Sequence, residues 1–511
     1  MKLDLITQNF TKLFPGDLSG NTMQRQTPDI MFCSVKPADF EKTELIDFNE
    51  KLSEEIGLGN LENDKDFLIA QNLPKNIESY ATAYAGHQFG NWAGQLGDGR
   101  AIYAGEILHE NKQTEIQWKG AGATPYSRNA DGRAVLRSSI REYLMSEAMF
   151  HLGVSTTRAL SLSKTGEDVI RDIQYSGNPQ KEQGAVVVRT AESFLRFGHF
   201  ELLSARKQED LLRQLADYAI ENFFPEVSSE SNLSKYIDWF QAICDRTLEM
   251  IIDWYRVGFV HGVMNTDNMS VLGLTIDYGP YSMMDGYDLE FTPNTTDLPR
   301  RRYAFGKQGQ ISHWNLATLA NAIFPLINDQ KVLEKILDDF GKQFWIRHDQ
   351  MLADKFGFDE VLAEDESFFT EWQQMMQDLN LDYTLFFQQL EKPVSEITTD
   401  DFKDAFYRNI NENEMIKLSN FIEKYQARKL KNRISTDESS ELMSKTNPKF
   451  ILRNYLLFEA IQDAENGNYE MFFKLKKALE NPYENLYPEF NKKRPSKYDN
   501  QTGSSQLSCS S

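Results

Sequence analysis

Between His261 and Gly279 the chain reads HGVMNTDNMSVLGLTIDYG, which sets two carboxylates, Asp267 and Asp277, and one amide, Asn268, around a short turn that follows a helical run. Magnesium binds oxygen in octahedral geometry and takes few ligands from protein, leaving the rest to water and nucleotide phosphates. Asn268 and Asp277 are donors of that kind. A cation to face phosphate is offered by Lys119, which ends TEIQWK; there Ile116 and Trp118 alternate with Glu115, Gln117 and Lys119, the period of a half-buried strand. From Val135 to Ala148 the residues Leu136, Ile140, Tyr143, Leu144 and Ala148 recur at helical spacing and carry Glu142 and Glu147 with them. By type alone each of these charges reads equally as a solvated surface group, and for Glu147 that reading is preferred.

The order of these residues says more than any one of them. His261, Asn268 seven residues later, and Asp277-Tyr278-Gly279 beyond a short hairpin repeat the arrangement of kinase-fold enzymes, in which the Asn and the Asp grip the metal. In those enzymes a strand Lys pairs with a helix Glu so that its ammonium faces the nucleotide phosphates, roles that Lys119 and Glu142 fit, Glu142 standing above Glu147 only by the resemblance given below. One position departs. Kinases place an Asp two residues after the His to accept the proton of the substrate hydroxyl, whereas Val263 stands there and has no basic group. Ordinary phosphoryl transfer is therefore disfavoured, with a kinase-like phosphotransferase and a non-catalytic pseudokinase scaffold kept as alternatives.

Several elements must position these groups. Five glycines between Gly86 and Gly99 predict a loop or series of turns, since neither helix nor strand interior tolerates that density. The apolar run AIYAGEI and the strand ending at Lys119 come next. Asp131 and Gly132 lie before the helix of Glu142 as turn or capping residues. A further apolar run, Ala185 to Val188, ends at Arg189 and closes a small α+β unit. Beyond Phe200 the pattern becomes that of long amphipathic helices, near Gln208 to Phe224 and near Lys235 to Arg256, with more helices over roughly 312–480.

The chain has 511 residues, with 55 Lys+Arg against 76 Asp+Glu for a net charge of −21. Such a balance repels nucleic acid and anionic membranes unless a basic patch is concentrated locally, and no basic run of useful length is read outside the tail. No signal-peptide pattern opens the chain and no apolar run reaches the ~20 residues of a membrane helix, so a cytoplasmic enzyme is expected. Three cysteines, Cys33, Cys244 and Cys509, are too few and scattered for a disulfide framework or a zinc site. Cys244 sits on an apolar helix face as a packing residue, and no role is read for Cys33.

The segments GHQFGNWAGQLGDGRA, WKGAGATPYSR, DGRAVLRSSIREYLMSEAM, RFGHFE and HGVMNTDNMS, the Asp277 motif and the closing Cys-Ser-Ser are similar to those of selenoprotein O, the YdiU family of kinase-like protein adenylyltransferases. The resemblance covers nearly the whole chain. It implies transfer of AMP from ATP to Ser, Thr or Tyr hydroxyls of proteins with release of pyrophosphate, the nucleotide lying reversed so that its α-phosphate meets the acceptor. Some members are also held to transfer UMP from UTP when manganese is available. It further implies that Gly97, Gly99, Arg100, Lys119, Asp131, Gly132, Arg189, Arg196 and Asp277 bind nucleotide, that Asn268 and Asp277 hold Mg²⁺ or Mn²⁺, that Asp267 accepts the proton and that Glu142 supports Lys119. Read without the resemblance, Arg189 is a strand-end charge paired with an acid. Cys509 matches the family's selenocysteine or cysteine, an exposed thiol suited to redox regulation.

The expected architecture is α+β, a two-lobed protein-kinase-like fold with terminal extensions and a mainly helical second lobe, ATP and Mg²⁺ lying between the lobes. Its parts are an N-terminal extension (1–80), a lobe with the glycine-rich loop (81–200), a helical lobe with the catalytic and metal-binding loop (201–400), a helical C-terminal extension (401–490) and a flexible tail with Cys509 (491–511). Expected partners are ATP and hydroxyl-bearing proteins. The sequence leaves targets and oligomeric state open.

Overall fold

Glu110 and Asn111, with φ of 50° and 64°, close the hairpin between strands β1 (Ala101–His109) and β2 (Lys112–Lys119). Two successive left-handed residues make the tight turn whose twist matches that of the flanking strands. The turn fixes the register, His109 opposite Lys112 and Ala101 opposite Lys119. This hairpin is the middle of a nine-stranded sheet in a computed structural model that describes residues 2–61, 64–173, 177–227 and 232–508. Beyond β2 lie β4 (Gln180–Ala191), β3 (Arg158–Arg171) and Glu44–Phe48; beyond β1 lie Tyr80–Thr82, Phe32–Ser34 and Gly16–Asp17. Residues 1–80 thus supply three strands to the sheet that carries Lys119.

Alternation along β4 shows how the sheet divides the interior. Val186 and Val188 point into a core with Ile102, Ile116, Trp118 and the N-terminal Leu3, Leu58 and Phe67. Ala185 and Val187 point into the larger core with Ile140 and Leu144 of helix α1 (Leu136–His151). Strand β2 is therefore not half-buried as its alternation predicts. Trp118 and Gln117, on opposite faces, are both fully buried, because the polar face is covered by α1 and the loops around it.

Helices α2 (Phe197–Ala205), α3 (Glu209–Phe223), α4 (Asn232–Val257), α5 (Gln308–Ile327) and α6 (Gln330–Phe356) build the mainly helical second half. The two helices read from sequence fall within a few residues of α3 and α4, and Gly258, with φ 75°, ends α4. Cys244 is buried on α4 as expected. Among the described residues no helix is long and apolar enough to cross a membrane.

Three local expectations are corrected. The glycine-rich stretch is part strand: Ala85–Gln88 and Asn91–Gln95 pair through a Phe89-Gly90 turn, both residues at positive φ, and only residues 96–100 are loop. Asp131 does not cap α1, since the short strand Ala134–Val135 intervenes and Val135 is the cap position. Residues 491–508 are packed rather than mobile, with Leu507 buried and its carbonyl accepting from Thr295 N at 2.8 Å. Cys509 lies outside the described residues.

Glu115, on the polar face of β2, accepts hydrogen bonds from Phe194 N (2.7 Å) and Ser193 Oγ (3.0 Å). Burial nonetheless pushes its carboxyl up to about 8, from an ordinary 4.5. Between those values the folded chain holds a proton that the unfolded chain releases, so stability is present at low pH and falls as pH rises, by up to about 1.4 kcal/mol per unit. Urea denaturation from pH 5 to 8 should show Glu115→Gln losing less stability than the parent over that window. Parallel curves would show that Glu115 ionises normally.

Candidate active site

Lys119, Glu142, Arg189, Arg196 and Asp277 converge at the end of β2. Period two along the strand puts Lys119 on the face of Gln117, and antiparallel register sets Arg189 of β4 directly opposite Gln117. Lys119 Nζ lies 2.7 Å from Glu142 Oε2, contributed by α1. Arg189 Nη1 reaches both Glu142 Oε1 (2.9 Å) and Asp277 Oδ1 (2.6 Å), while its Nε and Nη2 donate to Gln117 Oε1 at 3.1 and 2.8 Å. Lys119 is also 3.5 Å from Asp277 Oδ1. Arg196 Nη1 bonds Asp277 Oδ2 and the Asp267 carbonyl, the latter at 2.7 Å.

Three cations therefore share one carboxylate. Burial pushes the Asp277 carboxyl up, but Arg196, Arg189 and Lys119 hold it well below the usual carboxylate range. Burial lowers the Lys119 ammonium, against the pull of Glu142. Asp277 itself sits at φ 59°, and the carbonyl it presents in that turn accepts from Gly279 N at 2.8 Å.

Arg196 caps α2 and is held from behind. His199 Nδ1 accepts from Arg196 N (3.0 Å), leaving Nε2 to donate to Thr82 Oγ1 (3.1 Å), and Thr82 donates in turn to buried Asp98. Burial and the neighbouring guanidinium push His199 down to about 3, which keeps it neutral in this chain of bonds. The Arg196–His199 spacing in RFGHFE is that of a capping box, a local signal that helical periodicity alone does not reveal.

The loop after α4 supplies the oxygen donors. Asn268 commits Nδ2 to the Val263 carbonyl (2.9 Å), which fixes its Oδ1 as the free end. His261 is buried and bonds the Ile276 carbonyl at 2.9 Å, tying the two ends of the motif together. Asp267 Oδ2 accepts from Gln88 Nε2 (3.1 Å), whereas its buried Oδ1 has no hydrogen-bond partner among the described residues. Burial pushes its carboxyl up to about 6, with Gln88 and Arg196 opposing. Gly86 is required here, for a Cβ on it would stand 2.7 Å from Asp267 Oδ1.

The other expected residues occupy neighbouring loops. A Cβ on Gly97 would meet the Tyr126 ring at 2.5 Å and one on Gly99 the Tyr126 carbonyl at 2.8 Å, so this strip of backbone lies directly against residues 124–127. Arg100 is exposed, and its carbonyl accepts from Gly120 N, next to Lys119, at 2.7 Å. Gly132 has φ 69° and packs on Gly122. Asp131 is paired with Arg171 at 2.7 Å and makes no contact with the Asp277 cluster. Glu147, read as a solvated charge, is instead buried and bridged to Arg158 at 2.7 Å. Sequence reasoning also missed Gln117 and Gln88, although the two-residue step from Gln117 to Lys119 was available.

Asn268 Oδ1, left free by the bond from its Nδ2, and the Asp277 carboxylate are hard oxygen donors. This donor set fits a small divalent cation that keeps most of its shell for water and phosphate. Among the described residues no group of three or more His, Cys, Asp or Glu side chains is arranged to hold a metal.

Relatives place this site in a class. Proteins called Protein nucleotidyltransferase YdiU are similar along almost all of the chain: that of Cytophaga hutchinsonii is 46% identical over 513 residues (99% of this chain, 98% of the relative). That of Flavobacterium johnsoniae is 43% identical over 524 residues (100% of both), and that of Xanthomonas oryzae pv. oryzae 48% over 445 (86% of both). With such relatives along its whole length the chain is a nucleotidyltransferase. Residues 18–480 match the family described as Protein adenylyltransferase SelO, and the chain belongs to that family.

Replacing Asp277 removes the counter-charge of two buried arginines and the half-buried Lys119, so it is not the neutral change expected of an exposed loop carboxylate. Asp277→Asn should lower unfolding free energy by about 3 kcal/mol in urea denaturation. Added pyrophosphate should restore part of the loss. A variant as stable as the parent would show that the cations do not depend on Asp277.

Proposed function

We propose that this site transfers AMP from ATP to Ser, Thr or Tyr hydroxyls of other proteins. The observation that carries the reading is the buried carboxylate of Asp267, with one oxygen unpartnered, in a motif whose usual base position holds Val263. The acceptor hydroxyl gives its proton to Asp267 Oδ1 and its oxygen forms a bond to the α-phosphorus. The bond from that phosphorus to the bridging oxygen breaks, and pyrophosphate leaves. Arg189 and Arg196 meet the charge that grows on the leaving group, where preorganised cations act most strongly.

Lys119, steadied by Glu142, faces the same phosphates. Gly97, Gly99 and Arg100 take the nucleotide on the adjoining loop, with Asp131 and Gly132 on the nucleoside side. Mg²⁺, held by Asn268 and Asp277, supplies charge neutralisation of the phosphates when bound; manganese with UTP is the variant reading. The two arginines are already gathered on a carboxylate, and phosphate oxygens present the same acceptor chemistry to their forked donors. The kinase-like two-lobed arrangement and a cytoplasmic setting belong to the same reading.

ATP labelled at the α- or the γ-phosphorus separates this chemistry from phosphoryl transfer. Label from the α position should enter acceptor protein together with adenosine, and label from the γ position should not. The reverse pattern would restore the kinase alternative, and no label from either would favour the pseudokinase scaffold. Arg196→Gln should slow α-label transfer by about 10²–10³ fold, the usual effect of losing one preorganised charge donor. Unchanged kcat in that variant would remove Arg196 from the reaction.

A further inference from the structure

The hairpin that reaches Asp267 carries an exposed aromatic side chain with no role in the phosphate-facing cluster. Trp92 is 45% exposed, its ring 5.1 Å from that of His87, and His87 stands edge-on to Trp314 of α5 at 5.5 Å. The Arg302 guanidinium lies over Trp314, 4.6 Å from its centroid, and a Cβ on Gly90 at the hairpin tip would come within 3.3 Å of it. Arg302 ends a turn over 297–302 that also exposes Leu298, Arg300 and Arg301.

Three consecutive arginines on a chain of net charge −21 form a local exception. Among the described residues neither Arg300 nor Arg302 lies within ion-pair distance of a carboxylate. Arg301 donates to the Glu290 carbonyl at 3.2 Å. This patch is joined to the candidate base by short links. Tyr303 OH and Phe89 N both donate to Asn265 Oδ1, at 2.6 and 3.1 Å, two residues before Asp267.

The geometry points to this surface as the docking site of the acceptor polypeptide, an extended segment with Asp or Glu residues flanking the hydroxyl to be modified. The inference rests on the reading that the acceptor is a protein hydroxyl delivered to Asp267. Carboxylates of the segment meet Arg300, Arg301 and Arg302, and an apolar side chain lies against Trp92 and Leu298. Charge complementarity argues for that occupant: the body of the protein repels an acidic chain, so attraction at one patch sets where such a chain lands and in which register. Exposed tryptophan with arginine is also the composition of interface anchors.

Three synthetic peptides of equal length, each with one Ser, one Thr and one Tyr, flanked by Glu, Gln or Lys, test this with α-labelled ATP and by anisotropy of fluorescein-tagged copies. The Glu peptide should bind and react about tenfold better than the Gln peptide, with the Lys peptide poorest, as two or three partly exposed ion pairs allow. Arg300→Glu/Arg302→Glu should reverse that order, and Arg302→Gln or Trp92→Ala should weaken Glu-peptide binding several-fold, with the KM for ATP and the circular dichroism unchanged. Equal binding of the three peptides, or insensitivity to these variants, overturns the docking site while leaving AMP transfer standing. Selective binding of the Glu peptide without label in any acceptor protein fails the AMP-transfer reading instead. Tighter capture of a single-stranded DNA oligomer or of anionic vesicles through the same arginines would also overturn it, in favour of another partner.

Discussion

The carboxylate of Asp277 is the constraint on which the site depends. Lys119, Arg189 and Arg196 come from two strands and a helix cap, and without an anion between them their mutual repulsion in a buried setting would drive them apart. Asp277 binds all three, and Glu142 takes a second share of Lys119 and Arg189. Three cations are thus gathered at one point of a chain whose net charge is −21, and in the proposed reaction their donors meet the polyphosphate.

Sheet register is what brings the cluster together. A one-residue slip of β4 against β2 would send Arg189 to the opposite face and into the core of Ile116 and Trp118. About a third of that core comes from residues before Phe67, so the N-terminal segment contributes to the register by burial on the far side of the sheet. On the near side, the Arg196–His199–Thr82–Asp98 chain ties the start of α2 to the loop bearing Gly97 and Gly99. Elements distant in sequence thereby fix one another, and the site inherits their rigidity.

Much of this was legible in the sequence and some was not, for identifiable reasons. The types and order of His261, Asn268 and Asp277, the strand ending at Lys119 and the helix of Glu142 come from local spacing, and the α+β class from the change in periodicity. Burial of Gln117, Glu115 and Glu147 did not, because polar residues at regular spacing look identical whether they face water or a second layer of polar partners. The hairpin within the glycine-rich stretch was hidden because glycine at a tight turn and glycine in a loop carry the same signal. Packing of 491–508 was missed because a polar composition does not reveal that Tyr498, Ser504, Leu507 and Ser508 find buried slots.

In the proposed reaction, taking the base from position 267 rather than position 263 alters more than its identity. Position 263 is closed off, since Val263 is buried and its carbonyl is used to orient Asn268. Position 267 lies instead under the Ala85–Gln88 strand, where Gly86 leaves room for one carboxylate oxygen and Gln88 occupies the other. A hydroxyl that is to reach the unpartnered oxygen must therefore approach beside this hairpin. Arg189 is on the Asp277 side of the loop, whereas Arg196 spans it, bonding both the Asp277 carboxylate and the Asp267 carbonyl. The hairpin, more than the motif residues themselves, then decides from which direction an acceptor is admitted.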